Sequence, residues 1–537
     1  MNGPLKKYHM SKYLLWAAMG IILVSTALLR ISMLQIPLER DEGEYAYMGQ
    51  LLLQGIPPYL SAYTMKLPGT CAIYALIMGI FGQSVFAIHL GLLIFNGIAI
   101  VLVFLITRYL ADEIAGLAAA LSYALLSVIP SFLGSVAHAT QFLAPFALGG
   151  IFLLLKAIDE RKTLMLAAGG LLLGSAFLIK QHAIFFIFFA ILYYLIRMMK
   201  MSAAKRETAY GTAILIISSA LPFMTVCALF YMAGIFSKFW FWTFTYPIQY
   251  VSEIPLSMAG TMFLNTWTYH IHPCIWVLLI AGIGLSSVFW DEETRRHRDF
   301  WAGFFVFSSL SVCPGFYFRP HYFVTLLPAL AMLSGIAVRA SMIYLSDRFS
   351  PHLKAVPVVF FIIAIGIPAW PQTRFFFANP VDASRMLYIT MNPFPESLAV
   401  AQYIKNHSSE TDTIAVIGSE PQIYFYANRK SATGYIYICG LMEPHVYALQ
   451  MQKEMAREIE SAKPRYIVFV HAQTSWNTWP DSNFYILDWS KKYLDDYYLI
   501  RGFIKIGSDL KIKTDMNPRE IRQMIDNSLL IMERKQQ

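Results

Sequence analysis

Three carboxylates stand within four positions of one another, Asp41, Glu42 and Glu44, and Glu39 lies just before them. Asp41 and Glu44 are three residues apart, so on a helix they share a face. Clustered carboxylates raise one another's pKa, which suits a general base or a cation ligand. A solvated loop would show the same composition, so the neighbours matter. Lys66 precedes Leu67-Pro68, Lys180-Gln181-His182 interrupts two apolar runs, and Arg319-Pro320-His321-Tyr322 heads another; His138 and Gln141 form a further polar pair. Lys66 fits an interfacial anchor that snorkels to headgroups, or a cation for the phosphate of a lipid. Lys180 lies where an unpaired lysine costs free energy, and an anionic partner would satisfy it. Base plus separated cations is what transfer from a lipid-linked phosphate requires.

The elements that must position these groups are mostly membrane helices. The chain has 537 residues, of which 57% are hydrophobic and 14% charged, with a mean hydropathy of +0.51. A soluble domain is nearer 25% charged, and a disordered chain is poor in aromatics. Charge is sparse up to Pro371 and about twice as dense from Gln372 onward. That shift divides the chain into a membrane domain, 1–371, and a soluble domain, 372–537. The net +9 is dispersed over short loops with no basic stripe, which excludes nucleic acid as a partner. Cys71, Cys227, Cys274, Cys313 and Cys439 show no metal-binding spacing.

About 20 apolar residues span a bilayer core. Eleven candidates follow: 14–34, 85–107, 114–132, 139–155, 164–180, 183–196, 208–231, 270–290, 300–313, 322–344 and 355–370. The first is too long for a signal peptide and lacks a small-residue cleavage site, so it is read as uncleaved. With the N-terminus cytoplasmic, inner loops receive most of the Lys and Arg, Lys6, Lys7, Arg161, Lys162, Arg295 and Arg339 among them; few remain outside, Arg30, Arg40, Lys66, Lys180, Lys238 and Arg319. An odd number of spans then places the tail outside. Between the first two spans lies a long outer loop. Tyr45, Met48 and Leu52 recur there at helical spacing, as in an amphipathic surface helix ended by Gly55 and Pro57-Pro58, and the apolar run 70–81 is too short to span.

In the tail, 397–406 and 447–461 have the pattern of helices, and 413–417, 435–438, 466–470 and 497–506 that of strands, which makes a small α/β domain. Gly418-Ser419-Glu420-Pro421 follows a strand without a phosphate-binding fingerprint and is read as a turn. Trp476, Trp479, Tyr485 and Trp489 suit either a core or a sugar platform.

The runs RDEGEYAYMGQLLLQGIPPY (40–59) and MKLPGTCAIYALIMGIFG (65–82) resemble the first outer loop of bacterial GT-C glycosyltransferases. These are relatives of protein O-mannosyltransferase, lipid A aminoarabinose transferase and the rhizobial galacturonosyltransferases. GSAFLIKQHAIFF (174–186), RPHYFVTLLPALAMLSG (319–335) and VAQYIKNHSSETDTIAVIGSEPQIYFYANRKSATGYIY (400–437) are similar to later motifs of the family, in order. The resemblance implies a polytopic helical enzyme that takes a sugar from a polyprenyl-phosphate donor. The acceptor would be a hydroxyl of a glycan, glycolipid or protein on the outer side of the cytoplasmic membrane. The family's acid maps to Asp41, the expected base, with Glu42 beside it. Its lysine maps to Lys66 at the donor phosphate, with help from Lys180 or Arg319. Glu44, His138, Gln141 and His321 are the expected substrate-binding groups. Lys-Leu-Pro replaces the more usual Lys-Pro-Pro. Gln141 stands where many relatives carry an acid, which bears on any bound metal. No cofactor is required, and a divalent cation is allowed. A flippase of lipid-linked sugars, or a non-catalytic scaffold with an outer sensory domain, would be the rival readings. The first needs charge at mid-membrane depth, where this sequence places little.

Overall fold

The computed structural model describes residues 10–251, 254–388, 392–514 and 526–535; Lys6 and Lys7 lie outside them. Two compact units emerge. The first comprises residues 1–34, 89–232 and 250–377, and the second 35–88, 233–249 and 378–537.

The helices run, in chain order, α1 (Lys12–Ile31), α2 (Arg40–Leu53), α3 (Gly69–Phe81), α4 (Val85–Leu110), α5 (Glu113–Leu126), α6 (Ala139–Glu160), α7 (Thr163–Ile179), α8 (Ile184–Lys200) and α9 (Lys205–Met232), with further helices beyond. Among the described residues, eight helical stretches are long and apolar enough to cross a membrane, while α3, α5 and α7 are apolar but shorter. The chain is a multi-pass membrane protein. Not all eleven expected spans reach that length. The run at 114–132 stops at Leu126, because Pro130 disfavours helix at the residue before it and Leu133 turns left-handed at φ 53°. The run at 300–313 forms only Arg298–Leu310. Conversely, helix extends back from the expected 270–290 to Leu256, through a π-turn at Trp267–Ile271.

Within the first unit, α7 packs against α9 through small residues. A Cβ on Gly170 would sit 1.9 Å from the Ser218 hydroxyl, and one on Gly174 would sit 2.2 Å from the Ser219 carbonyl oxygen. Close backbone approach of this kind replaces the hydrophobic drive that helices lack in lipid. Polar sequence features expected to be topological turn out to be structural. Arg339 is buried and pairs with Asp112 at 3.0 Å and Asp291 at 2.8 Å. Each carboxylate also caps a helix, accepting from the Ala115 and Thr294 N–H groups. Arg30 donates to the Ser127 and Gly134 carbonyls at 2.7 and 2.9 Å, fixing the turn after α5.

In the second unit a five-stranded sheet has the order β2-β1-β3-β5-β4. Its strands are β1 (Thr413–Ile417), β2 (Lys430–Ser431), β3 (Tyr466–His471), β4 (Tyr498–Lys505) and β5 (Ser528–Arg534). β1 pairs in parallel with β2 and β3; β5 runs antiparallel between β3 and β4, with Val468 opposite both Val416 and Ile531. The expected strand at 435–438 is irregular instead, and helix 485–497 and strand β5 were not expected. α2 does form, with Glu39 and Glu42 in a reciprocal capping box. It does not leave one face to solvent: every residue from Glu42 to Leu51 is buried. The cause is Gly43, whose missing side chain lets the tail helix Gln422–Ala427 come within 2.5 Å of where a Cβ would lie. α3 packs alongside as well.

Removing Arg339 would strand two buried carboxylates. Arg339→Met should cost about 3–5 kcal/mol, read as a lowered thermal midpoint in detergent, whereas the exposed Arg348→Met should leave it unchanged.

Candidate functional site

The second unit assembles the first cluster around Lys66. α2 begins at Arg40, so Asp41 and Glu44 fall on one face near its N-terminus. The loop after α2 returns Lys66 to that face. Tyr59, at φ 66°, donates from its hydroxyl to the Lys66 carbonyl at 2.7 Å, and the Thr64 hydroxyl accepts from the Lys66 N–H. The ammonium Nζ then lies 2.7 Å from Asp41 Oδ1 and 2.5 Å from Glu44 Oε2. Glu44 is buried, while about a quarter of the Lys66 side chain and a fifth of that of Asp41 remain exposed. So the site opens on the side of Asp41 and Lys66.

Burial alone would push the Lys66 ammonium down, but Asp41 and Glu44, with the phenols of Tyr45 and Tyr437, hold it well above the ordinary lysine value. Burial raises Glu44 above the glutamate range, against the opposing pull of Lys66. Burial and then Asp41 and Glu42 hold Glu39 higher still. Tyr45 and Tyr437 offer their rings to the ammonium at 4.6 and 5.8 Å; burial pushes both phenols well up, so they stay neutral. Glu42, expected as a catalytic neighbour of Asp41, is committed to the cap of α2.

Two partners were missed by sequence reasoning. Arg40 reaches into the tail domain, donating to Glu420 at 3.0 Å and to Asn392 at 2.8 Å. Glu420, wholly buried, also accepts from the Ser475 hydroxyl. The segment read as a turn, 418–421, is therefore the clamp on the start of α2. The signal was present as an Arg next to the acidic cluster and an acid directly after a strand. Tyr437 is the second: it lies in a segment expected to be a strand.

The first unit gathers the other expected residues. His138 and His321 stack with ring centroids 4.1 Å apart. Lys180 leaves α7 in extended conformation and places Nζ 4.3 Å from the Tyr322 ring centroid, against whose edge His182 also packs. Burial, and then the charges of His138, Lys180, Arg319 and His182, push His321 well below the ordinary histidine value. Arg319 is exposed, over the Tyr317 ring. Gln141 donates to the Gly134 carbonyl, which Arg30 also holds, so it serves the turn before α6.

Residues 66–226 match the family described as dolichyl-phosphate-mannose-protein mannosyltransferase. ArnT from Cupriavidus metallidurans bound to undecaprenyl phosphate superposes with a TM-score of 0.59 at 14% identity, covering 97% of this chain and 98% of that one. The oligosaccharyltransferase AglB of Archaeoglobus fulgidus, with an inhibitory peptide and a dolichol-phosphate, gives 0.57 at 12% identity over 98% of this chain and 76% of that one. The arabinofuranosyltransferase AftD from Mycobacteria gives 0.50 at 11%, over 100% and 41%. The fold is the GT-C fold. No curated protein sequence matches the chain. The resemblance carried by the motifs is borne out in both the matched family and the fold.

Lys66 is the cation that opposes the upward shift of Glu44. Its removal therefore favours the neutral carboxyl and carries Glu44 further up. In Lys66→Met, difference infrared spectra at neutral pH should show a protonated-carboxyl C=O band that disappears in Lys66→Met/Glu44→Gln. Absence of that band in the single variant would mean that Lys66 does not hold Glu44 ionised.

Proposed function

We propose that the chain is a membrane glycosyltransferase that moves a sugar from a polyprenyl-phosphate carrier to an acceptor hydroxyl by a single inverting displacement. What carries this reading is the Lys66 ammonium held between Asp41 and Glu44. A base and a cation stand one hydrogen bond apart, on the segment where the family resemblance expects both. The undecaprenyl phosphate and dolichol-phosphate of the ArnT and AglB structures are lipids of the class such a cation suits.

Asp41 takes the proton from the acceptor oxygen as that oxygen attacks the anomeric carbon. The bond from that carbon to the phosphate oxygen breaks, and its electron pair stays on the phosphate. Lysine carries three N–H donors; two go to Asp41 and Glu44, and the third is the one a phosphate oxygen would take. The charge developing on the leaving group then meets a preorganised cation. Glu42 aims Asp41 by fixing the start of α2, and Glu44 keeps Lys66 in place.

A sugar phosphate is already a fair leaving group, so neither a covalent intermediate nor a cofactor is needed. The Lys and Arg bias supports a cytoplasmic N-terminus and an extracytoplasmic domain over 372–537, and the family resemblance supports residence in the cytoplasmic membrane.

With a purified panel of polyprenyl-phosphate sugars, Asp41→Asn should abolish transfer while the protein stays folded; full activity would remove Asp41 from the role of base. Lys66→Ala should lower kcat/KM for the donor through both a higher donor KM and a lower kcat, and unchanged donor kinetics would count against phosphate binding there. Treatment with EDTA should leave the rate within twofold of the untreated enzyme; loss restored by Mg2+ or Mn2+ would place a metal in the reaction.

A further inference from the structure

A second site lies in the same unit. Tyr63, Trp242 and Tyr435 build an aromatic floor: Tyr63 stacks on Trp242 with centroids 5.1 Å apart at 14°, and Tyr435 meets both rings edge-on, at 5.0 and 5.8 Å. Phe241 and Tyr447 continue the wall. These residues enclose a cavity of about 340 Å³, within the range of small-ligand pockets, about 300–1,000 Å³. The rim is polar and outward: Lys238 and Gln450 are exposed and Glu454 is half-exposed. Glu454 accepts from the Tyr435 hydroxyl at 3.0 Å, and Lys238 lies over the Tyr63 ring at 5.3 Å.

We infer that this cavity binds a sugar of the acceptor, next to the residue that is glycosylated. The inference rests on the transferase reading above. A pyranose presents a C–H face that stacks on a flat aromatic floor, and hydroxyls that need both donors and acceptors at its edge. Tyr63 and Tyr447, the half-exposed rings of the lining, supply the face, backed by the buried Trp242 and Tyr435; Glu454, Gln450 and Lys238 supply the edge. A lipid tail would find the rim too polar, and a free phosphate would meet Glu454.

The location supports the acceptor role. Tyr63 is three residues from Lys66, a reach of at most about 11 Å. Tyr435 is two residues from Tyr437, which flanks the Lys66 ammonium. The two segments are tied together by the Tyr63 N–H, which donates to the Gly434 carbonyl at 2.7 Å. The cavity and the reactive pair are thus built on the same two chain segments. An acceptor that fills both is a glycan or a glycolipid head.

The test uses the full chain in detergent or nanodiscs, with maltose, mannobiose and chitobiose as probes, read by saturation-transfer difference NMR. At least one disaccharide should receive saturation from the wild-type protein. The signal should fall fivefold or more in Glu454→Gln and Tyr447→Ala, both at accessible positions, and persist in Asp41→Asn, which separates binding here from the reaction itself. In transfer assays Glu454→Gln should raise the acceptor KM roughly tenfold, about the loss of one hydrogen bond to a charged group, and Tyr447→Ala should raise it as well, with donor KM unchanged in both. The inference is overturned if no disaccharide is saturated, if the signals survive both variants, if a Ser/Thr-rich peptide gives the variant-sensitive signal instead, or if donor KM moves and acceptor KM does not.

Discussion

The ammonium of Lys66, suspended between Asp41 and Glu44, is the interaction on which the rest of the second unit depends. Two carboxylates, Asp41 and Glu44, share one face at the start of α2, and a single ammonium serves both. Here the cancelling cation comes from a loop 22 to 25 residues further along the chain. Burial of Glu44 strengthens the attraction and at the same time raises the cost of losing it. The arrangement leaves Asp41 and Lys66 the two partly exposed members of the group, and Glu44 the buried one. A site that must offer both a proton acceptor and a positive charge to the same ligand needs that asymmetry.

The helix bearing these acids is held from outside its own sequence. Arg40, one residue before Asp41, is anchored to Glu420 and Asn392 of the tail, and Gly43 lets the tail helix Gln422–Ala427 press against the backbone of α2. Tyr47 accepts from the Ser431 N–H and Tyr426 from the Leu38 N–H, adding two more links. The tail domain therefore does structural work at the acids themselves, whatever further binding it performs.

Legibility from sequence followed the range of the forces involved. α2 and α3 were readable because helical spacing and terminating Gly and Pro are local signals, and β1 agreed residue for residue. β5 was missed because it owes its place at the middle of the sheet to β3 and β4, which flank it in space but precede it in the chain. The stretch 435–438 has the residue types of a strand but none of the pairing, being occupied with Lys66 on one side and the aromatic floor on the other. Asp41, Glu44 and Lys66 were found by type and spacing. That Lys66 belongs to both acids at once, that Glu42 caps a helix, and that Glu420 clamps Arg40 are all long-range facts. Within the helical unit, the grouping of Lys180, His138 and His321 followed from their positions at helix ends, whereas the buried Arg339 triad was hidden among residues that obey the ordinary charge bias of cytoplasmic loops.

The close seat of Gly43 against Gln422 also sets how such proteins can be recombined. A chimaera that exchanges only the C-terminal part between two relatives would pair one parent's α2 with a foreign docking surface, and any side chain at position 43 would collide with the backbone of residue 422. The exchangeable module is discontinuous: the segment from 35 to 88, the short stretch 233–249 and the tail must travel together, so inheritance of the tail alone would be selected against.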